Sequence, residues 1–200
     1  MPVTAERSKP SLRERKKAQT RALIQTHALR LFREQGYRAT TIEQIIAAAE
    51  VSESTLFRYF PTKEDLVLSD DYDPQIVQAV QAQPPDVAPL HAIRAALASV
   101  FSGFTDRERA EQQQRVALVL SVPELRAKML DQFLQTTRVL AAAIADRASR
   151  EPDDFAVRTV AGAVIGALMA GLDAVADDPG ADLAGLVDRA LAQLESGLTL

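Results

Sequence analysis

Four side chains between positions 53 and 58, namely Glu53, Ser54, Thr55 and Arg58, fall on the outward side of a short helical pattern. Arginine can pair with the edge of guanine and glutamate can accept from the cytosine amino group, so this set has the chemistry to read bases in a major groove. Thr41, Ser52, Tyr59 and Lys63 flank it and offer hydroxyl or ammonium donors suited to phosphate oxygens. Such contacts set register and give salt-dependent affinity but carry little sequence information. The bland alternative for every one of these residues is a solvated helix face, and Ser52 serves equally as a helix cap. Only their place within a larger motif separates the two readings.

That motif is a pair of short helices joined by a tight turn. Thr41 can cap the first helix and Gln44 can reach back to it, while Ile42, Ile45, Ile46 and Ala49 recur at helical spacing toward a core. After a turn at Glu50 and Val51, Ser52 can cap the second helix, with Val51, Leu56 and Phe60 turned inward. The pattern is that of a helix-turn-helix whose second helix lies on DNA. Upstream, Ser11 and Glu14 have capping-box spacing, and a long helix with Ile24, Ala28, Leu31 and Phe32 as its apolar stripe is expected to end at Gly36. His27 shares that side of the helix and is expected to be a hydrogen-bonded, partly buried histidine. Residues 1–10 are expected to form an arm, and Arg7, Lys9, Arg13, Arg15, Lys16, Lys17 and Arg21 either track phosphates or form a solvated basic face.

Residues 13–68 resemble the DNA-binding domain of the tetracycline-repressor-like (TetR) family of bacterial regulators. The resemblance runs through the apolar lead-in, Gln35-Gly36-Tyr37, Thr40-Thr41, Val51-Ser52, Thr55 to Phe60, and Lys63, in fixed order. It implies Thr41, Tyr59 and Lys63 as backbone-phosphate ligands. Glu50 departs from the glycine common at the turn, and a left-handed backbone there costs a non-glycine residue about 1 kcal/mol.

Composition is consistent with this division. The chain has 200 residues, no cysteine and a formal net charge of −4, so disulfides, thiolate metal sites and cysteine redox chemistry are excluded. The charge is segregated: residues 1–65 carry a net +4, which suits phosphate, and the remainder carries −8. The longest uncharged apolar run, Thr159 to Leu172, is short for a bilayer span. The reading is therefore a cytoplasmic, soluble protein. Thr62 and Asp65 predict a fourth helix running into the acidic stretch at 70–74, with a kink or break at Pro74. Beyond this, every periodic segment is helical. Thr105 with Glu108, and Ser121 with Glu124, read as capping boxes, and a helix from about Pro123 to Arg150 carries Leu125, Met129, Phe133, Val139, Leu140 and Ile144 as a stripe. The fold class is all-α, with a three-helix helix-turn-helix domain in residues 1–70 and a helical bundle in residues 71–200.

For the bundle, the family resemblance implies a ligand pocket and a dimer. Phe101, Phe104, Met129 and Phe133 are candidates for an apolar lining, and Arg94, Arg115, Arg126 and Arg158 for an anionic end. Segments at 70–74, 123–127 and 152–163 resemble those of a TetR subgroup with acyl-CoA-like ligands. Gly162, Gly166 and Ala170 lie four apart on one face, and Leu183, Leu186, Val187, Leu191 and Leu194 line the last helix. The resemblance implies that these two helices pair with their copies, giving the two-fold dimer that a palindromic operator requires. The expected function is a ligand-responsive repressor with double-stranded DNA, a second copy and a small hydrophobic effector as partners. No cofactor or metal is expected and the chain is expected not to be an enzyme: two histidines without a Glu-x-x-His pair make a bundle metal centre a remote alternative. A ligand-independent DNA-binding protein and an activator are the nearer rivals.

Overall fold

The structure, a computed structural model, describes residues 11–69, 72–178 and 180–198. Its described residues form ten helices and no strand. The chain divides into two compact units between Ser69 and Asp70.

The first unit holds α1 (Leu12–Gln35), α2 (Ile42–Ala49), α3 (Glu53–Tyr59) and α4 (Asp65–Leu68). Ser11 and Glu14 form a reciprocal capping box at the start of α1. Gly36 ends it at φ 88° and ψ 152°, a positive-φ conformation outside the left-handed helical basin expected there, and one glycine adopts without strain. Ile24, Ala28, Phe32, Tyr37, Ile45, Ala49, Leu56, Phe60, Leu66 and Val67 are buried and make the core. The fourth helix is shorter than the sequence pattern predicts. It stops at Leu68, Ser69 is extended, and a new helix begins at Tyr72, so Pro74 sits in a first turn where its missing N–H costs nothing.

The second unit is a bundle of α5 (Tyr72–Gln81), α6 (Pro89–Ser102), α7 (Asp106–Ser121), α8 (Pro123–Ala148), α9 (Phe155–Asp177) and α10 (Leu183–Ser196). α9 lies against both α8 and α10, and Val80, Ile93, Ala96, Leu140, Ile144, Val157, Ala161, Val164, Val187 and Leu191 share one core. The Thr105 and Glu108 capping box opens α7. Ser121 does not cap α8: the N-cap is Val122, Pro123 occupies the first turn, and the Ser121 hydroxyl donates back to Leu118 O at 2.9 Å. Val139, expected inside, is half exposed, because α8 buries the face carrying Leu140 and Ile144 instead. α9 as a whole is long and apolar enough to cross a membrane by length and composition, which the uncharged run alone did not suggest. Its Val157, Ala161, Val164, Ile165, Leu172 and Val175 are buried within the bundle.

Candidate DNA-reading and effector sites

α2 is built to hold α3. Its Thr41 hydroxyl accepts the Gln44 N–H at 3.3 Å, and the Gln44 side chain accepts the Thr41 N–H at 2.8 Å. Gln35 at the end of α1 donates to that same Gln44 oxygen at 2.8 Å and to the hydroxyl of buried Thr40 at 3.2 Å. The scaffold helix is thereby tied to α1 by local polar contacts as well as by Ile45 and Ala49. Glu50 closes α2 in the left-handed conformation, at φ 52° and ψ 42°. That strain is accepted because the turn must reverse within two residues, and Val51 N–H still reaches Ile46 O at 3.2 Å.

α3 is then fixed on one side only. Ser52 accepts the Thr55 N–H at 3.2 Å and donates its own hydroxyl to the Thr55 hydroxyl at 2.8 Å, so Ser52 acts as a cap. Leu56 and Phe60 are fully buried. Glu53, Ser54 and Arg58 are exposed, as expected of a reading edge, while Thr55 and Tyr59 are half-buried. The Arg58 guanidinium lies 5.2 Å over the Tyr59 ring, which steadies a long side chain on the outer edge. Phe57, 39% exposed in the middle of this edge, was not singled out from the sequence. Its position one residue from buried Leu56 in a seven-residue helix was the available signal.

The phosphate candidates divide. Thr41 is exposed at the start of α2. Lys63 is half-buried instead, with its ammonium donating to Tyr37 O at 2.6 Å and lying 4.4 Å from the Tyr37 ring centre and 5.7 Å from that of Phe32. A phosphate contact by Lys63 requires the amine to leave that carbonyl. Along α1, Arg13, Arg15, Lys16 and Lys17 are exposed, whereas Arg21 is half-buried with its guanidinium 5.2 Å over Phe60. Arg7 and Lys9 lie outside the described residues. His27 is half-buried as expected, but its Nδ1 is buried without a hydrogen-bond partner.

In the second unit the eight pocket candidates differ in exposure and in their contacts. Phe101 and Phe104 meet edge to face with ring centres 5.7 Å apart, and Met129 and Phe133 are half-buried on α8. Arg115 is half-buried, and Arg126 and Arg158 are exposed. Arg94 is engaged within the fold. Its guanidinium forms a fork with Asp188, at 2.7 and 3.0 Å, and a further bond to Glu195 at 2.7 Å, so it braces α6 against α10. The Asp188 hydrogen bonds, then those of Glu195, push the Arg94 pKa up, and the Arg94 hydrogen bond holds the Asp188 carboxyl below its ordinary range. His91 Nδ1 lies 3.1 Å from the other Glu195 oxygen. Beside this network an open groove of about 400 Å³ is lined by Ala88, Leu90, His91, Leu194 and Glu195, none of them a pocket candidate. Among the described residues no group of three or more His, Asp or Glu side chains could hold a metal ion.

The interface candidates divide too. Gly162, Gly166 and Ala170 are exposed on α9 beside Met169 at 43% and Phe155 at 83%, and a Cβ added at Gly162 or Gly166 would meet nothing within 4 Å. On α10, Leu183, Leu186 and Leu194 are half-buried, but Val187 at 3% and Leu191 at 0% belong to the chain's own core. These two are removed from the interface set. The close helix approach inside the chain falls at Gly171, where a Cβ would stand 3.1 Å from both Leu183 Cδ1 and Val187 Cγ2.

A buried scaffold helix, a left-handed turn and a second helix with an exposed polar edge, in a chain that also carries a helical bundle, define a helix-turn-helix DNA-binding regulator. Residues 24–69 match the family of bacterial regulatory proteins of the tetR type, and residues 87–199 match the MftR C-terminal domain. The chain belongs to the TetR family of transcriptional regulators. It is 35% identical over 152 residues to the HTH-type transcriptional regulator TcmR of Streptomyces glaucescens, covering 72% of this chain and 67% of that protein. It is 27% identical over 154 residues to the putative mycofactocin biosynthesis transcriptional regulator MftR of Mycobacterium tuberculosis, covering 76% and 77%. Among solved structures, FadR of Thermus thermophilus in complex with lauroyl-CoA aligns with TM-score 0.52 at 25% identity, over 90% of this chain and 95% of that one. A SmeT–triclosan complex shares the fold at TM-score 0.58 and 19% identity, over 91% and 95%.

Proposed function

We propose that the chain is a homodimeric repressor in which residues 1–70 read a palindromic operator and residues 71–200 bind a small hydrophobic effector and dimerise. The observation that carries the DNA reading is the one-sided burial of α3. Leu56 and Phe60 are fully buried, while Glu53, Ser54, Phe57 and Arg58 are presented together at the surface. Glu53, Ser54, Thr55 and Arg58 are the base readers, with Phe57 able to meet a thymine methyl. Thr41, Ser52, Tyr59 and Lys63 are the phosphate set, a reading supported for Thr41 and Ser52 by their exposure. Dimerisation is supported by the bare glycine face of α9, where Gly162, Gly166 and Ala170 would let a helix of the second copy approach closely. A DNA partner and a cysteine-free sequence support a cytoplasmic location.

The effector is an acyl-chain-bearing anion. FadR was solved with lauroyl-CoA, and Phe101, Phe104, Met129 and Phe133 provide apolar surface of the matching kind. Arg115, Arg126 and Arg158 are the candidates for its acidic end, and Arg94 meets Asp188 and Glu195. Release requires the effector to bind more tightly to the state that cannot span both half-sites. Fluorescence anisotropy on a selected operator, titrated with lauroyl-CoA, lauric acid and the lipophilic cation tetraphenylphosphonium, tests this. Release by the acyl compounds is expected. Release by the cation alone overturns the acyl class, and no release by any of them favours a ligand-independent DNA-binding protein.

A further inference from the structure

The Gln44 amide, in the first turn of α2, is held from two elements. Its oxygen accepts the Thr41 N–H at 2.8 Å and also accepts from Gln35 Nε2, on α1, at 2.8 Å. A backbone N–H can only donate, so it is the oxygen end of the Gln44 amide that faces Thr41. Gln35 is fixed in turn. Its nitrogen also donates to the hydroxyl of buried Thr40 at 3.2 Å, and that hydroxyl donates to Gly36 O at 2.8 Å. The Gln44 nitrogen is thereby directed away from both donors, and among the described residues its two hydrogens meet no acceptor. Gln44 is exposed, as are Thr41 and Glu43. The Thr41 hydroxyl accepts the Gln44 N–H at 3.3 Å and is engaged by the Glu43 carboxylate, whose own backbone N–H and then the Thr41 hydroxyl hold its pKa below the ordinary range. The side-chain nitrogen of Gln44 is the donor that this cap leaves available.

We propose that Gln44 is a further DNA-phosphate ligand, with its amide nitrogen aimed at the DNA backbone by Gln35. The inference rests on the DNA reading given above and adds a member to its phosphate set. The first helix of a helix-turn-helix crosses the DNA backbone, and glutamine is among the side chains that bond phosphate oxygens. A donor already fixed in direction loses little side-chain freedom when the phosphate arrives, so more of the bond's strength appears as affinity. Gln35 touches no DNA in this arrangement and is a positioning residue. Because the Gln44 amide is neutral, it releases no counterion: it adds affinity without steepening the salt dependence. It carries no base information either, so its loss weakens binding to all sequences alike.

The test uses the full chain on an operator selected from random duplex DNA, with affinity and Tm measured for Gln44→Met, Gln44→Glu and Gln35→Met. Glutamate at this position keeps an oxygen for the Thr41 N–H and so keeps the cap. A Gln44 that only capped α2 would let Gln44→Glu bind like the wild type. As a phosphate ligand, it is expected to give a Gln44→Glu protein with wild-type Tm and reduced affinity. Gln44→Met is expected to bind about tenfold or more weakly, with the consensus and the salt slope unchanged. Gln35→Met is expected to lose part of that factor, and to lose nothing further in a protein that already carries Gln44→Met. Operators with a single neutral methylphosphonate at each backbone position in turn locate the contact: one position in each half-site is expected to weaken the wild type and to leave Gln44→Met unaffected. Wild-type affinity in Gln44→Met or in Gln44→Glu overturns the inference, as does a loss in Gln44→Met that couples to no phosphate, and either leaves the DNA reading of α3 intact. A wild type that binds no duplex DNA overturns that reading, and this inference with it.

Discussion

In the first unit, the caps that start α2 and α3 come from neighbours three residues away; in the second, Arg94 is held across the fold. Thr41 and Gln44 cap one another, and Ser52 caps through Thr55, all within single turns. Arg94 is held by Asp188 and Glu195, 94 and 101 positions along the chain. Local capping fixes α3 before any long-range packing is considered, leaving its outer edge free to present Glu53, Ser54 and Arg58. The bundle instead spends polar side chains on joining helices, so an arginine on an otherwise acidic unit is as apt to be a brace as a ligand. A site made from local structure is robust and rigid, whereas a site made from packing can be redistributed, which is what an effector-responsive body needs.

The largest expected effect tests the division of α9 and α10 into an outer face and a core. Gly166→Glu places a charge on the exposed face of α9, at a position where an added Cβ meets nothing within 4 Å. The fold should survive, since a helical glycine is itself unfavourable, but a dimer formed through this face should not. Operator affinity is then expected to fall by about a hundredfold or more through loss of avidity, with half-site binding retained. Sedimentation of the variant as a dimer with wild-type operator affinity would move the interface elsewhere.

How far the sequence reveals each unit follows from the same contrast. The helix-turn-helix, its caps and the inward Leu56 and Phe60 were legible because each depends on spacings of three or four residues. Lys63 was not, because its amine is drawn inward by the Tyr37 carbonyl, 26 residues earlier. In the body, Val187 and Leu191 look like Leu186 in sequence, since α10 is apolar on more than one side and only packing against α9 decides which side is inside. The break before Tyr72 was masked by a capping pattern that starts α4 but says nothing about where it stops.

The smallest effect concerns Arg94. Because Asp188 has a lowered carboxyl pKa in the folded protein, its contribution to stability is complete above the ordinary aspartate range, near pH 4, and is lost as pH falls through the lowered value. Arg94→Met removes that contribution. The difference in Tm between wild type and variant is expected to be small, present at neutral pH, and to close on acidification below about pH 4. The effector concentration needed for operator release should be unchanged at neutral pH. A variant that binds operator normally but no longer releases it would return Arg94 to the effector site.

The central claim, that the outer edge of α3 reads sequence, is tested most directly by selecting binding sites from random DNA with the wild type and with Arg58→Ala. The account predicts a palindromic consensus for the wild type and, for the variant, relaxed preference at one position in each half-site, worth about 1–3 kcal/mol of discrimination, with the rest of the consensus retained. An Arg58→Ala protein that returns the wild-type consensus at the same stringency would contradict it.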